Sequence, residues 1–236
     1  MPRRSAPRVI GATQPPDVAM QGLERAMVDG LEQGLSLEDV LIASVSFRGS
    51  DAGSVRLERS HLSDVDLGDA RLRALSMVDT SAERVDAANG DWGAGKLRRV
   101  LLDDSRLTGL SLAETHLEEV QFKGCKLDYI NFRNATIEHV SFLDCSLRGT
   151  DFQGATIHAT RFDGCQLLET DFSRAQMESV DLRGSQLELA GSMLALKGAT
   201  IGSLQLIDLA PLLALELGIA VEPDQGSGGL PLSDRG

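Results

Sequence analysis

Residues 145–174 read CSLRGTDFQGATIHATRFDGCQLLETDFSR, and a large apolar residue stands at every fifth position from Leu147 to Phe172. The same series begins at Ile42 and continues without a slip to Leu187, and all thirty of its members are apolar. Because 42% of the chain is hydrophobic, the chance of such a run is on the order of one in 10¹¹. The series therefore marks an internal repeat of five residues.

A period of five fits neither an α-helix nor a flat strand. It leaves no apolar stripe on a helix, and on a flat strand it sends successive apolar residues to opposite faces. It fits short extended segments, each followed by a corner, that wind into a solenoid. Cys125, Cys145 and Cys165 are twenty residues apart, which indicates four segments in each coil and predicts about 7.5 coils between the first and last segments.

Runs such as Thr150-Asp151-Phe152-Gln153-Gly154-Ala155 resemble the pentapeptide-repeat family, whose pattern is written A(D/N)LXX. The resemblance implies an all-β fold, a right-handed quadrilateral parallel β-helix with a solvent-excluded core. A parallel coil exposes backbone and apolar side chains at both ends, so caps are expected there. The Leu-rich stretch that ends at Gly218 predicts a C-terminal capping α-helix.

The inward positions include two aromatic columns and one column of thiols. Six of the seven phenylalanines are ten residues apart, which predicts two stacks on opposite walls. The thiol column continues with Val and Ser, so we interpret its cysteines as small buried hydrophobes and not as a metal or redox site. These predicted core residues are Phe122, Phe132, Phe142, Phe152, Phe162, Phe172, Cys125, Cys145 and Cys165.

The pattern divides the chain into five segments. We predict a disordered basic arm at 1–16, an N-terminal cap at 17–36, the β-helix at 37–201, a capping or dimerisation helix at 202–219 and a flexible tail at 220–236. Related family members form homodimers, which makes a homodimer seam on this helix a second expectation beside capping. The residues predicted to serve either role are Leu204, Leu206, Leu209, Leu212, Leu213 and Leu217.

Residues 80–97 keep the period but change in content, because Ala82, Ala87 and Trp92 are the segment centres and three glycines lie near Trp92. One interpretation is a narrowed coil whose lost volume Trp92 fills. The other is an outward loop for a partner, as some members of the family carry. Residues 90–97 also match the glycine and lysine positions of a phosphate-binding loop, but Leu97 stands where that motif needs Ser or Thr.

The chain is acidic, with 23 Lys and Arg against 35 Asp and Glu and a formal net charge of −12. This charge disfavours direct binding to nucleic acid and favours basic partners. Its N-terminus lacks the apolar core of a secretory signal, and its longest apolar stretch is interrupted by Pro211 and Glu216. We therefore expect a cytoplasmic location with reduced cysteines and no membrane span.

No motif for catalysis or a cofactor emerges from the sequence. His61, His116, His139 and His158 all fall at positions predicted to point outward, and none is evidently paired with a nucleophile in a cleft. A filled solenoid also offers no deep pocket. We therefore predict that the protein is not an enzyme and that it needs no cofactor or metal.

One wall of the solenoid divides by charge along its length. Its N-terminal half carries Arg and Lys, and its C-terminal half carries carboxylates that stack in one column without a basic partner. This wall is the candidate partner-binding patch, and the alternative is an ordinary solvated face. The patch residues are Glu114, Glu118, Glu119, Glu138, His158 and Glu178.

The resemblance suggests a function for this patch. Some pentapeptide-repeat proteins resemble B-form DNA in width and acidity, bind DNA gyrase and protect it from quinolones or from a producer's own toxin. The first hypothesis is therefore a DNA mimic that binds gyrase or another topoisomerase. The alternative is a general interaction scaffold with an unrelated protein partner.

Overall fold

The computed structural model describes residues 23–222. Seventeen short strands, one 3₁₀ turn and one α-helix are present among these residues. The strands are β1 Glu24–Arg25, β2 Ser36–Glu38, β3 Val40–Ser46, β4 Arg56–Glu58, β5 His61–Asp66, β6 Ser76–Glu83, β7 Lys96–Asp103, β8 His116–Lys123, β9 Thr136–Glu138, β10 Ser141–Leu143, β11 Thr156–His158, β12 Arg161–Asp163, β13 Gln166–Thr170, β14 Gln176–Glu178, β15 Val180–Asp181, β16 Gln186–Leu189 and β17 Ala199–Thr200. The 3₁₀ turn spans Met193–Leu196 and helix α1 spans Ser203–Glu216.

The strands stack in parallel with a register of twenty residues, which confirms the predicted parallel β-helix of four segments per coil. Leu97, for example, lies between Met77 and Leu117 in adjacent coils. The solenoid has about 9 turns, more than the 7.5 predicted. The difference arises because β1 pairs with β3, and β17 pairs with β15, outside the unbroken five-residue series.

Each corner of the solenoid is a residue in the left-handed backbone conformation. Every fifth residue from Gly34 to Gly184 has a positive φ, between 45° and 81°. Only eight of these residues are glycine, although the conformation costs other residues about 1–2 kcal/mol each. The corner therefore explains the period of five, because one reversed residue must follow each short extended segment.

The Asp or Asn of the repeat stabilises the corner beside it. Its side-chain oxygen accepts a hydrogen bond from the backbone N–H two residues later, as Asp151 does from Gln153 at 2.9 Å and Asp171 from Ser173 at 2.7 Å. This local bond is an Asx turn, which short acidic and amide side chains favour. It gives the D/N of the repeat pattern a direct physical cause.

The two aromatic columns are continuous stacks. Neighbouring rings in the column from Phe122 to Phe162 have centroids 4.9 and 4.6 Å apart and are nearly parallel. In the column from Phe132 to Phe172 the spacings are both 4.9 Å. The two stacks meet edge to face across the core, with Phe122 and Phe132 at 6.4 Å.

Small polar residues in the interior donate to backbone carbonyls. Thr150 Oγ1 donates to Leu127 O at 3.1 Å, and Cys125 Sγ donates weakly to Leu102 O at 3.3 Å. Both acceptors belong to the segment centre of the preceding coil. The thiols of Cys125, Cys145 and Cys165 therefore occupy the same structural position as the buried hydroxyls.

Residues 80–97 form an in-register coil. Thr80 pairs with Val100, Asp91 pairs with Ser111, and the side chain of Trp92 is buried in the core. The alternative of an outward loop is therefore wrong, since the strands on both sides keep the register of twenty. Leu97 is a buried residue of β7 and starts no helix, so the segment lacks the architecture of a phosphate-binding loop.

The N-terminal end is covered by the chain before β3. Leu31, Leu35 and Leu37 are partly buried and pack against the core at this end. The predicted arm at 1–16, residues 17–22 of the predicted cap and residues 223–236 of the predicted tail lie outside the described residues.

The C-terminal end is closed by helix α1, which is shorter than the predicted span of 202–219. Gln205 Nε2 donates to the backbone carbonyls of Leu182 at 2.8 Å and Ser185 at 2.6 Å, and Leu209 is buried. At the other end of the helix, Glu216 accepts from the backbone N–H of Met193 at 2.7 Å. The helix therefore satisfies backbone groups that the last coil leaves unpaired.

Gly198 lies where the chain returns to the solenoid, and it generates a stability prediction. Its φ is +93°, and a Cβ there would lie 2.0 Å from Met177 O, whereas a Cβ at Gly49, with φ of +70°, would meet nothing within 4 Å. We expect Gly49→Ala to lower the free energy of unfolding by about 1 kcal/mol from backbone strain alone. Gly198→Ala should lower it by at least twice as much, because a backbone clash is added.

Urea unfolding followed by circular dichroism measures both changes. Equal losses in the two variants would contradict the close approach of Gly198 to Met177.

Candidate partner-binding surface

The divided wall, called here the charged wall, consists of the outward residues of β2, β4, β9, β11, β14 and the first three or four residues of β6, β7 and β8. The strand register places Glu118, Glu138, His158 and Glu178 directly above one another. Glu114 occupies the corner before this wall and Glu119 the corner after it, both with left-handed φ. All six predicted patch residues thus lie on the wall or at its two corners.

The carboxylates of the C-terminal half have no basic partner. Among the described residues, no ion pair within 4 Å involves Glu114, Glu118, Glu119, Glu138 or Glu178. Glu114 and Glu178 are exposed, and the others are half-buried. Like charges at one strand spacing raise each other's electrostatic energy. A basic surface that approaches this patch would relieve that repulsion.

The N-terminal half of the same wall is neutralised by a charge ladder, defined as Asp39, Arg59, Asp79 and Arg99. These residues occupy the same corner in successive coils. Arg59 Nε bonds to Asp39 Oδ1 at 2.9 Å, and Arg99 makes two bonds of 2.5 Å to Asp79. This ladder was not among the predicted features, although its signal in the sequence is the alternation of Asp and Arg at a spacing of twenty.

The Asp79–Arg99 pair of the ladder has shifted pKa values. The hydrogen bonds from Arg99 lower the pKa of Asp79, although desolvation opposes the change. The same bonds raise the pKa of Arg99, and the charges of Glu119 and Glu118 add to this effect. The ladder therefore meets the acidic patch at Arg99.

Three further cations lie on the N-terminal half of the wall. Arg56, Lys96 and Arg98 form no ion pair among the described residues, and Arg98 Nε is buried without a hydrogen-bond partner. Arg98 lies directly below Glu118 in the strand register. The charge on the wall therefore changes from positive to negative between the coil of Lys96–Arg99 and the coil of His116–Glu119.

The histidines separate into two environments. The rings of His139 and His158 pack edge to face at 5.7 Å within the acidic half of the wall. His61 keeps the outward register position predicted for it, beside Ser81, but its side chain is buried, with Nδ1 2.7 Å from Ser81 Oγ in the next coil. Burial, followed by the charge of Arg84, lowers the pKa of His61.

The thiol column presents no chemistry to solvent. Cys125, Cys145 and Cys165 are free and buried. The neighbouring thiols of Cys125 and Cys165, together with burial, raise the pKa of Cys145, which favours the unreactive thiol form. Within residues 23–222, no group of three or more His, Cys, Asp and Glu side chains could hold a metal ion.

The leucines of α1 divide between its two faces. Leu209 is buried against the end of the coil and Leu213 is half-buried. The remaining four predicted residues, Leu204, Leu206, Leu212 and Leu217, are exposed, and so are Ile207 and Leu215, which the prediction did not include. No helix among the described residues is long and apolar enough to span a membrane.

The Asp79–Arg99 pair generates a prediction about pH. The folded protein lowers the pKa of Asp79, so the pair stabilises the fold above the ordinary aspartate pKa of about 4, and this stabilisation is lost as the pH falls through the lowered value. Asp79→Asn keeps the side-chain shape and tolerates the left-handed φ, and it should lower the free energy of unfolding by about 1 kcal/mol at pH 7. The difference in the free energy of unfolding should shrink toward a pH of about 2.5, which is about 1.5 units below the ordinary aspartate pKa.

Asp51→Asn is the matched control, because Asp51 and Arg71 are 3.8 Å apart and both 74% exposed. We expect no measurable change from that substitution at either pH. A pH-independent loss in Asp79→Asn would contradict the electrostatic role of the ladder.

Comparisons with known proteins agree with this geometry. The family model of the pentapeptide repeat region matches residues 83–152 and 115–191. A structure of trypsin-treated QnrB1, a plasmid-mediated fluoroquinolone resistance protein, is 18% identical with a TM-score of 0.55, over 82% of this chain and 99% of that chain. A second trypsin-treated QnrB1 structure is 19% identical with a TM-score of 0.53, over 82% of this chain and 97% of that chain.

HetL, a pentapeptide repeat protein involved in heterocyst differentiation regulation from the cyanobacterium Nostoc sp. Strain PCC 7120, is 18% identical. Its TM-score is 0.47, over 71% of this chain and 85% of that chain. No curated protein matches the chain significantly. At 18% and 19% identity, the likeness to the two QnrB1 structures is one of fold. The matched family model, the coil register and the left-handed corners together identify residues 83–191 of this chain as a pentapeptide-repeat region.

Proposed function

We propose that this protein is a non-enzymatic, cytoplasmic binding protein that uses the acidic half of its charged wall to contact a basic surface of DNA gyrase or another topoisomerase. The observation that carries the proposal is the column of Glu118, Glu138 and Glu178, which has no basic partner among the described residues. The fold likeness to QnrB1 supports the choice of partner, because fluoroquinolone resistance is the property named for that protein.

The charge of the solenoid makes it a partial mimic of DNA. Residues 37–190 carry a net charge of −9 over a length of about 36 Å. Duplex DNA of that length carries roughly 21 negative charges. The acidity is therefore sufficient to contact part of a DNA-binding surface and insufficient to replace a duplex along its whole length.

A supercoiling assay with purified gyrase and a fluoroquinolone tests the proposal. We expect the protein to change supercoiling or drug sensitivity at micromolar concentration, and raising the salt concentration should weaken the effect because exposed charges are screened. The combined change Glu118→Gln, Glu138→Gln and Glu178→Gln should weaken it by about tenfold or more.

The matched control is the combined change Asp104→Asn, Asp144→Asn and Glu188→Gln. It removes three exposed carboxylates elsewhere on the solenoid that form no ion pair among the described residues. Activity of the control within about twofold of the original protein is expected. Absence of any effect on gyrase, or equal losses in both triple variants, would refute the proposal.

A general scaffold with an unrelated partner is the alternative, and the cations of the wall favour it. Lys96 and Arg98 are unpaired on the same wall, whereas a duplex presents no positive charge. Recovery of a different protein by affinity capture from the native cell, with binding that is insensitive to salt, would select this alternative.

We also propose that the exposed face of α1 forms a homodimer. Eight of the eleven large apolar side chains exposed among the described residues lie between Leu204 and Val221. Such a concentration of apolar surface at one end is typical of a protein interface. A second copy offers the same surface across a two-fold axis.

Sedimentation velocity over a range of concentrations tests the dimer. The combined change Leu204→Glu and Leu215→Glu places charges on side chains that are 75% and 77% exposed, and it should convert the dimer to monomer without unfolding the solenoid. Met27→Glu is the control, since Met27 is 89% exposed at the opposite end. A monomeric original protein, or dissociation by the control as well, would rule the interface out.

A further inference from the structure

A cleft of about 610 Å³ opens between the last complete coil and the C-terminal cap. Ser173, Arg174 and Gln176 lie on its coil side, and Leu194 and Lys197 lie on its cap side. Sites for small molecules commonly enclose about 300–1,000 Å³. The cleft therefore has room for a small organic ligand.

The cleft exists because the solenoid loses its register at this point. Strand β14 pairs with β11 below it and with no other strand of the described chain. After β16 the chain makes a 3₁₀ turn, and it returns at Gly198 against Met177 O. Glu216 of α1 accepts hydrogen bonds from Ser192 Oγ and from the backbone N–H of Met193. Both sides of the cleft are thus held by defined contacts.

The cleft is basic in a protein of net charge −12. Neither Arg174 nor Lys197 forms an ion pair among the described residues, and no carboxylate lines the cleft. The corner arginines Arg59 and Arg99 each bond to an aspartate twenty residues earlier. Arg174 has Gly154 at that position, so no neighbouring coil supplies its guanidinium with a carboxylate.

The other lining groups suit a ligand with a charged end and an apolar body. Ser173 and Gln176 provide neutral hydrogen-bonding side chains, while Ala175, Met177 and Leu194 provide apolar contact. The hydroxyl of Ser192 already donates to Glu216, so Ser192 supplies no further donor. The guanidinium and the ammonium are therefore the groups that select the ligand, and both prefer oxyanions.

We propose that this cleft binds a small organic oxyanion, a phosphate monoester or carboxylate attached to an apolar group. Arg174 and Lys197 donate charge-assisted hydrogen bonds to the anionic oxygens, and the apolar group packs against Ala175 and Leu194. The site adjoins the C-terminal end of the charged wall, since Gln176 of β14 lines both, but its test involves no topoisomerase.

Phenyl phosphate is a suitable probe, and amide chemical shifts of the full-length protein report where it binds. We expect saturable shifts at residues 173–177 and 192–198 with a dissociation constant below about 10 mM. Inorganic phosphate and benzyl alcohol, which carry the charge and the ring separately, should each bind at least about tenfold more weakly. The combined change Arg174→Gln and Lys197→Gln should weaken binding of phenyl phosphate about tenfold or more.

Arg56→Gln combined with Lys126→Gln is the matched control, because it removes two exposed cations that form no ion pair among the described residues. This control should bind within about twofold of the original protein, and Arg174→Lys should retain most of the affinity because it keeps the charge. The proposal is overturned by absence of saturable shifts, by shifts confined to α1, by equal loss in the control, or by benzyl alcohol that binds as well as phenyl phosphate.

Discussion

The structure depends on the hydrogen bond that most left-handed corners make with the next coil. The backbone N–H of the corner residue donates to a carbonyl nineteen residues later, as Ala74 does to Gly93 at 2.9 Å and Glu114 to Arg133 at 2.9 Å. The strained conformation and the stacking of coils are thus coupled, because the reversed residue directs its N–H along the solenoid axis. A corner that lost its left-handed φ would also lose this bond to the next coil.

This coupling also explains why only a few kinds of side chain occupy the interior. A register of twenty places identical positions one strand spacing apart, so rings stack on rings and hydroxyls repeat beneath hydroxyls. Every buried Ser and Thr among the described residues has a hydrogen-bond partner. A thiol fits the same place because it is small and can donate weakly. The interior therefore favours small donors beside the corners and large apolar groups at the segment centres.

The inward half of the molecule could be predicted because the period of five constrains it at every position. The outward side chains are constrained only by their neighbours in adjacent coils. Which contacts they make there depends on the length and reach of each side chain. The sequence spacing placed Glu118 and Glu138 in one column but did not show that Arg99 turns to Asp79. It placed His61 outward but did not show that Ser81 would draw the ring down onto the wall. The ends were the least predictable, since the register of twenty ceases there and β1 and β17 pair with offsets of their own.

The reversal of charge along the wall gives any partner a single orientation. The two strands of a DNA duplex run in opposite directions, so its phosphate surface looks alike from either end. The charged wall differs, because Lys96 and Arg98 lie at one end of a carboxylate column that extends through Glu178. The column spans three coil spacings, or about 14 Å. This length is too short for charge density alone to determine how a long basic groove binds. A partner that binds this wall as proposed would therefore match the order of charges along the axis, with its own positive charge facing the carboxylate column and ending where Lys96 and Arg98 begin.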